Sequence, residues 1–457
     1  MIGNIKKIHF IGIGGIGMSG LAEILLAQGY KISGSDKSSS SITDRLVSLG
    51  AEFYVGHSEN NINNVDLIVY SSAVPEDNPE LKYGNANGII SIKRSEMLAE
   101  CTRWQYSICV AGTHGKTSTT SMISLILLEA GFDPTLIIGG TLKQLNGSNA
   151  RFGSGKYVVA EADEYDRTFL KLNPTIAVIT NIDLEHLDIY SDLEDIKNSF
   201  FEFASKVPFY GFIVACIDEA NVKDVISNVN KEIITYGIDK TAVIRAEKIE
   251  YSNLNSSFQL FIDNKYKGNV NLSVPGLHNV RNCLAAIAVA SKLGIPLEVI
   301  NNALFNFRGA DRRFEVIYDS EILIIDDYAH HPNEVDATLN AISKGYNRRI
   351  VAVFQPHLFT RTRDFYKDFG KVFQLADVFV CLEIYPSREN PIEGITSQLI
   401  IDEAKRIGHQ NAIYIKDSNE LIDKLFTVKE NNDVFVFLGA GSITSYSRKF
   451  ASMVNSQ

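Results

Sequence analysis

The chain is predicted to be an α/β protein built of three successive units, and three observations carry that prediction. Short apolar runs rich in β-branched residues alternate with helical stretches almost throughout, the pattern of parallel sheets covered by helices. Two of the strands run straight into glycine loops that open helices, at Gly12–Gly17 and at Gly112–Thr117. The length of 457 residues exceeds what one core holds, at roughly 100–200 residues per domain.

Each unit follows in order. The first opens with a strand around Ile8–Ile13, a glycine loop, and a helix from Met18 to Gln28 stopped by Gly29. Strands at Tyr30–Gly34 and Leu67–Ser71 follow, and the unit is complete by residue 106. The second, 107–312, starts with the strand Ile108–Ala111 and a strongly apolar helix, Thr117–Ala130, closed by Gly131. Its strands continue at Tyr157–Ala160, Ile176–Thr180 and Phe212–Ala215. A meander of shorter strands over Ala242–Asn271 and the helix Cys283–Lys292 complete it. The third, 313–457, has strands Ile322–Ile325, Ile350–Phe354, Val378–Leu382 and Val434–Leu438. Arg103–Ser107 and Phe307–Arg312 are the expected hinges.

Composition narrows the function classes. Hydrophobic residues at 45% and charged residues at 21% are ordinary for a globular chain and exclude disorder. A net charge of −10 disfavours a nucleic-acid surface, so an anionic substrate must be held by local devices such as helix starts and a few cations. No apolar run reaches the roughly 18–20 residues of a membrane span, and Met1–Phe10 lacks a signal-peptide pattern, so a cytoplasmic protein is expected. The five cysteines are scattered and never form a C-x-x-C pair, which suggests reduced, buried thiols.

The first loop reads Gly12-Ile13-Gly14-Gly15-Ile16-Gly17. Gly12 suits the tight turn, Gly14 (with Gly15 beside it) close approach to a phosphate, and Gly17 close helix–strand packing. Asp36, 19 residues after Gly17 at the end of the next strand, can bond a ribose hydroxyl. The second loop, Gly112-Thr113-His114-Gly115-Lys116-Thr117-Ser118, is more specific. Its backbone N–H groups can surround a triphosphate, Lys116 can meet the β/γ-phosphates, and Thr117 can ligate Mg²⁺. It is a shorter variant of the usual phosphate loop, since Val110 stands where a first glycine is expected.

Carboxylates follow where metal ligands are expected. The strand Tyr157–Ala160 runs into Glu161-Ala162-Asp163-Glu164-Tyr165-Asp166 at its C-terminal end, the ligand-binding end of a parallel sheet. Glu161, at the tip, is the leading metal ligand. Asp163, Glu164 and Asp166 remain open between ligands and a solvated turn, and His186 between a second ligand and a polar turn. His9, His57, His114 and His409 have no constellation around them, and His9 suits an apolar core.

Taken together, these stretches resemble the Mur ligases, the ATP-dependent amide-bond-forming enzymes of peptidoglycan synthesis. The resemblance spans the chain and rests on Phe10–Gly20, Ala111–Thr117, Glu161–Asp166, Asn181–His186, Gly276–Asn279, Arg312–Phe314, Asp326–Pro332 and Phe354–Thr362. It implies a Rossmann-like first domain, a P-loop ATPase-like second and a Rossmann-like third. It also implies ATP, Mg²⁺, UDP-N-acetylmuramate and L-alanine as cofactors and substrates, and a monomer or weak homodimer. The sugar nucleotide would lie over Gly12–Gly17 with Asp36 and Ser71 nearby. Lys116, Thr117, Glu161 and His186 would hold the phosphates and metal, with Lys116, Glu161, His186, His330 and Arg313 as the catalytic set. His278, Asn279 and Asn282 would border the adenine, and Arg313 and Asp326 would reach the nucleotide as the domains close. Tyr328, His330, His357 and Arg361 would form the amino-acid pocket. Leu358 stands where relatives often carry a basic residue, and Ala329 where many have glycine.

The chemistry is consistent with that set. A carboxylate must first become an acyl phosphate before an amine can displace its oxygen, and cations must neutralise the approach of two anions. His330, His331 and His357 are candidate bases, with His331 better suited to a rigid turn before Pro332. Arg361 can fork onto an amino-acid carboxylate. An NAD oxidoreductase built on Gly12–Asp36 leaves Gly112–Thr117 unexplained. A tripeptide ligase of the same fold and a non-catalytic nucleotide-binding module would each share parts of the pattern. Against the tripeptide ligase stands Phe354-Gln355-Pro356-His357, which resembles the alanine-pocket stretch.

Overall fold

The computed structural model describes residues 3–142, 145, 147–185, 189–309, 311–387 and 389–456. It divides into two compact units. The first comprises Met1–Glu247, Gln259–Val270 and Arg281–Asn306; the second comprises Lys248–Phe258, Asn271–Val280 and Phe307–Gln457. Among the described residues no helix is long and apolar enough to cross a membrane.

Three sheets are present. The first holds β1 (Lys7–Ile11), β2 (Lys31–Asp36), β3 (Glu52–Val55), β4 (Leu67–Tyr70) and β5 (Ile90–Lys93), in the order β3-β2-β1-β4-β5, all parallel. The second holds β6 (Tyr106–Ala111), β7 (Thr135–Leu142), β8 (Ser148–Arg151), β9 (Tyr157–Glu161), β10 (Ile176–Ile179), β11 (Phe212–Cys216), β12 (Ile233–Gly237), β13 (Ile244–Ser252), β14 (Asn255–Ile262) and β15 (Lys265–Leu272). Their order is β15-β14-β13-β12-β11-β10-β6-β9-β7-β8. The third holds β16 (Glu315–Asp319), β17 (Leu323–Asp327), β18 (Ile350–Phe354), β19 (Val378–Leu382), β20 (Ala412–Ile415) and β21 (Val434–Leu438), in the order β16-β17-β21-β18-β19-β20.

These orders place the loops that matter. β1 lies between β2 and β4, and β6 between β10 and β9, so the chain departs to opposite sides of each. A switch point of this kind opens a crevice beyond the carboxyl ends of the strands, where ligands bind. Central strands are buried on both faces, as every residue of β10, β18 and β21 is. In the second unit Phe354 packs on Phe369 (4.9 Å) and Phe373 (5.1 Å), and Phe373 stacks on Phe379 at 3.9 Å. Such pairs add about 0.5–1.5 kcal/mol each beyond area burial, and here they fix the helix Phe359–Val372 against β18 and β19.

Several expected boundaries shift for local reasons. The first strand stops at Ile11, because Gly12 takes φ +81° and turns the chain. The helix expected from Cys283 begins at Leu277, its polar first turn hiding it from the apolar pattern. β3 and β5 escape a periodicity search because they are four-residue, half-exposed edge strands, and β7 because Gly139-Gly140 interrupts its apolar run. Of the first expected hinge, Arg103 caps the helix Arg94–Thr102, while Tyr106 and Ser107 already belong to β6. All five cysteines are buried and free, and burial pushes the Cys101, Cys109 and Cys216 thiols up to about 12.

One expectation fails outright. His9 and His57 do have a constellation, because both converge on Glu80, a fully buried carboxylate at the start of the helix Pro79–Ala86. Its Oε2 accepts from Ser35 Oγ (2.7 Å) and lies 3.0 Å from His57 Nδ1. Its Oε1 accepts from Asn61 Nδ2 (2.6 Å) and lies 3.5 Å from His9 Nε2. Burial alone would raise this carboxyl, but the bonds from His9, Ser35 and Asn61 outweigh it and hold the group down at about 2. A carboxyl depressed in the folded state contributes stability above its ordinary value of 4.5 and loses it as the pH falls towards 2. Glu80→Gln is therefore expected to lose about 2–4 kcal/mol in urea unfolding at pH 7. The gap from the parent should narrow below pH 4.5, and a gap that does not change with pH would contradict the assignment.

Candidate active site

The helix Lys116–Glu129 begins directly after the loop that follows β6. Gly115 caps it at φ +81°, and a Cβ there would stand 2.4 Å from Asn282 Oδ1, so the position excludes any side chain. The loop is pinned from β10. Asn181 Oδ1 accepts from His114 N (2.7 Å), and Thr180 Oγ1 and Asn181 Nδ2 donate to His114 O at 2.6 and 3.0 Å. Asp183 N donates to Thr113 Oγ1 at 2.9 Å. His114 thus shapes the loop through its backbone, while its ring nitrogen Nε2 stands 3.6 Å from Asp183 Oδ2.

Lys116 folds back over this loop. Its Nζ donates to Gly112 O (2.8 Å) and Thr113 O (3.2 Å), and it meets both oxygens of Glu164 at 2.9 and 2.7 Å. Burial would push the ammonium down, but Glu164, Asp163 and Glu161 outweigh it and hold it above its ordinary value. Glu164 is 2% exposed, so it is no solvated turn residue. Its backbone carbonyl accepts from Tyr190 OH at 2.7 Å. Glu161, at the tip of β9, accepts from Thr117 Oγ1 and from Gly139 N, each at 2.9 Å. A hydroxyl and a carboxylate thereby sit side by side, the hard oxygen donors that suit Mg²⁺. Asp163 closes a local turn by accepting from Tyr165 N, and Asp166 lies 3.8 Å from Lys93. His186 falls outside the described residues. Ser118 lies in the first turn of the helix, half-buried.

Beyond β1, Asp36 does not stand apart from the glycine loop: its Oδ2 accepts from Gly14 N at 2.9 Å. Gly17 packs on the Arg94 side chain rather than on a strand, and the close approach belongs to Gly34, where a Cβ would stand 2.5 Å from Ile13 Cδ1. Ser71 lies in the turn after β4, its carbonyl accepting from Val74 N at 3.1 Å.

In the second unit the loops after β17, β18 and β21 gather. Gly439 N donates to Asp327 O (3.1 Å), Gln355 N to Leu438 O (3.0 Å), and Arg312 Nη2 to Gly439 O (2.7 Å). Two guanidinium groups lie over the Tyr328 ring, those of Arg312 and Arg313 at 4.8 and 5.0 Å from its centre. Its ring is 5.3 Å from that of His330, which is 5.9 Å from that of His357. Arg361 Nη1 approaches His357 Nδ1 at 3.4 Å. Between them Leu358 takes φ +74° and ψ +136°, a conformation that costs a non-glycine residue about 1–3 kcal/mol. It turns the chain into the helix Phe359–Val372 and sets Arg361 one turn along beside His357.

His331 caps the helix Pro332–Gly345, and its own backbone N–H donates to Glu334 Oε2, so it is a turn residue as its neighbour Pro332 suggests. Asp326 is fully buried; it accepts from Thr444 Oγ1 and lies 4.0 Å from Arg312, and burial raises its carboxyl. His278 and Asn279 lie in the first turn of the helix Leu277–Lys292, where Asn279 Nδ2 donates to Pro275 O at 2.7 Å.

Comparison with known proteins decides the family. The family description "Mur ligase family, catalytic domain" matches residues 7–106, "Mur ligase middle domain" residues 110–290, and "Mur ligase, glutamate ligase domain" residues 312–441. The chain is 48% identical to the UDP-N-acetylmuramate–L-alanine ligase of Geotalea uraniireducens (strain Rf4), over 97% of each chain. It is 46% identical to the protein of that name from Sulfurihydrogenibium sp. (strain YO3AOP1), over 99% of each. The crystal structure of UDP-N-acetylmuramate–alanine ligase from Thermotoga maritima superposes with a TM-score of 0.83 at 31% identity, covering 98% of this chain and 99% of that one. A murein peptide ligase from Psychrobacter arcticus gives 0.72 at 25% identity, over 99% of each.

The chain belongs to the Mur ligase family.

For a Mur ligase, the informative partner of the loop lysine is one that composition hid. Glu164 sits three residues beyond the strand tip, and nothing in a run of four acids separates it from its neighbours. Glu334 was equally unmarked, since it acts through backbone contacts that only the fold creates. Removing one partner of a buried ion pair strands the other, typically at about 3–5 kcal/mol. Lys116→Met is expected to lower stability by that order and to abolish ATP binding. Adding Glu164→Gln should recover most of the stability in chemical unfolding while calorimetry still detects no nucleotide binding. Recovery of binding in the double variant would show that Lys116 does not hold phosphate.

Proposed function

We propose that this Mur ligase joins L-alanine to the lactyl carboxylate of UDP-N-acetylmuramate, with cleavage of ATP, in peptidoglycan precursor synthesis. The observation that carries the proposal is its 45–49% identity, over nearly the whole length, to alanine ligases of that name. The loop chemistry supports it independently. Lys116 and the N–H groups of Gly112–Ser118 suit the triphosphate, and His278, Asn279, Asn282, Arg313 and Asp326 are assigned to the rest of the nucleotide. Gly12, Gly14, Gly15, Gly17, Asp36 and Ser71 are assigned to the sugar nucleotide, and Tyr328, His330, His357 and Arg361 to alanine.

The carboxylate attacks the γ-phosphorus of ATP, giving an acyl phosphate and ADP. The amine of alanine then attacks the acyl carbon, and phosphate leaves. Lys116 meets the charge that builds on the transferring phosphoryl oxygens, and it must exchange Glu164 for phosphate to do so. Mg²⁺, held by Thr117 and Glu161 with His186, would supply further neutralisation of that charge. Arg361 forks onto the alanine carboxylate. Domain boundaries near 106 and 312, a cytoplasmic location, and a monomer or weak homodimer belong to the same proposal.

Phosphate release from purified protein with MgATP, UDP-N-acetylmuramate and L-alanine tests it. Release is expected to depend on all three. Release that is unchanged when alanine is omitted, or that requires L-alanyl-γ-D-glutamyl-meso-diaminopimelate instead, would overturn it.

A further inference from the structure

His330 presents its two ring nitrogens to different surroundings. Nδ1 lies 2.9 Å from the Tyr328 carbonyl oxygen and 3.2 Å from Glu334 Oε2. A carbonyl oxygen can only accept, and an ionised carboxylate likewise, so Nδ1 must carry the hydrogen. In a neutral imidazole this leaves the lone pair on Nε2. Among the described residues no hydrogen bond engages Nε2. Glu334 is itself fixed. Its Oε2 accepts from the backbone N–H of His330 (3.0 Å) and of His331 (3.3 Å), and its Oε1 lies 3.7 Å from Arg313 Nη1. One carboxylate therefore ties together the loop, the helix Pro332–Gly345 and the orientation of the imidazole.

We propose that Glu334 is a positioning residue: with the Tyr328 carbonyl it locks His330 as the Nδ1–H tautomer and turns Nε2 into the acceptor for the proton shed by the amine of alanine. The inference rests on the assignment of this pocket to the amino acid. Alanine enters as the free amine. As its nitrogen bonds to the acyl carbon it becomes acidic, and Nε2 takes that proton while the carbon–oxygen bond to phosphate breaks. The imidazolium, its Nδ1–H held on Glu334, returns the proton to the departing phosphate, so charge and atoms balance. The resting charge state fits. Burial first, then the nearby Arg361 and Arg313, push the imidazole down to about 3 against the opposing pull of Glu334 and the Tyr328 carbonyl. It is neutral before the step. His357 is the other titratable ring facing it, at 5.9 Å between ring centres.

Two measurements test this. Nitrogen NMR of the parent enzyme labelled in histidine is expected to show His330 protonated at Nδ1; a proton on Nε2 overturns the proposal without any variant. In Glu334→Gln, kcat is expected to fall by about 10²-fold or more with the KM for alanine changed only a few-fold. Glu334→Asp should restore part of that loss, and reductive trapping of the acyl phosphate should remain at the parent level. A raised KM with kcat unchanged, or parent-like kcat in Glu334→Gln, would reduce Glu334 to a helix cap. Failure of the proposed function itself reads differently: the parent would then form no acyl phosphate from UDP-N-acetylmuramate.

Discussion

The ion pair between Lys116 and Glu164 is the interaction on which the first unit's site depends. A lysine at the mouth of a glycine loop is useful to a triphosphate only if its charge is kept close and oriented, and burial opposes both. Glu164 resolves the conflict by supplying a counter-charge at 2.7 Å, while two loop carbonyls take the remaining hydrogens. The loop is thus electrostatically complete within the chain itself. A phosphate chain bound here would have to replace Glu164 rather than fill a gap, so its affinity would reflect a difference between two anions and not the full attraction of one.

The same economy recurs at the other glycine loop and in the second unit. Asp36 occupies the Gly14 N–H group, and Glu334 occupies the N–H groups of His330 and His331. In each case a carboxylate of the chain covers donors at a strand end, where the fold concentrates unpaired N–H groups. Glu80 differs. Fully buried among two histidines, a serine and an asparagine, it holds β1, β2 and the helix Pro79–Ala86 together and faces no assigned ligand. Its role is to fix the first sheet behind the loop.

Strain is placed where orientation matters. Leu358 adopts a conformation that favours glycine, yet its neighbours are His357 and the helix bearing Arg361. The aromatic cluster of Phe354, Phe369, Phe373 and Phe379 clamps that helix from beneath, supplying the packing energy that a strained turn needs in order to persist.

The sequence by itself determined the α/β class, the two glycine loops, the central strands and the family, because these rest on local periodicity and on residue types whose chemistry is fixed. Lys116, Thr117 and Glu161 could be named from one strand–loop–helix stretch and one strand tip. Tertiary structure alone decided which acid of Glu161–Asp166 faces the lysine, that His9 and His57 share Glu80, and that Glu334 governs His330. Each of those depends on contacts between segments distant in sequence or on the side to which a backbone turns, and neither spacing nor composition encodes a direction in space.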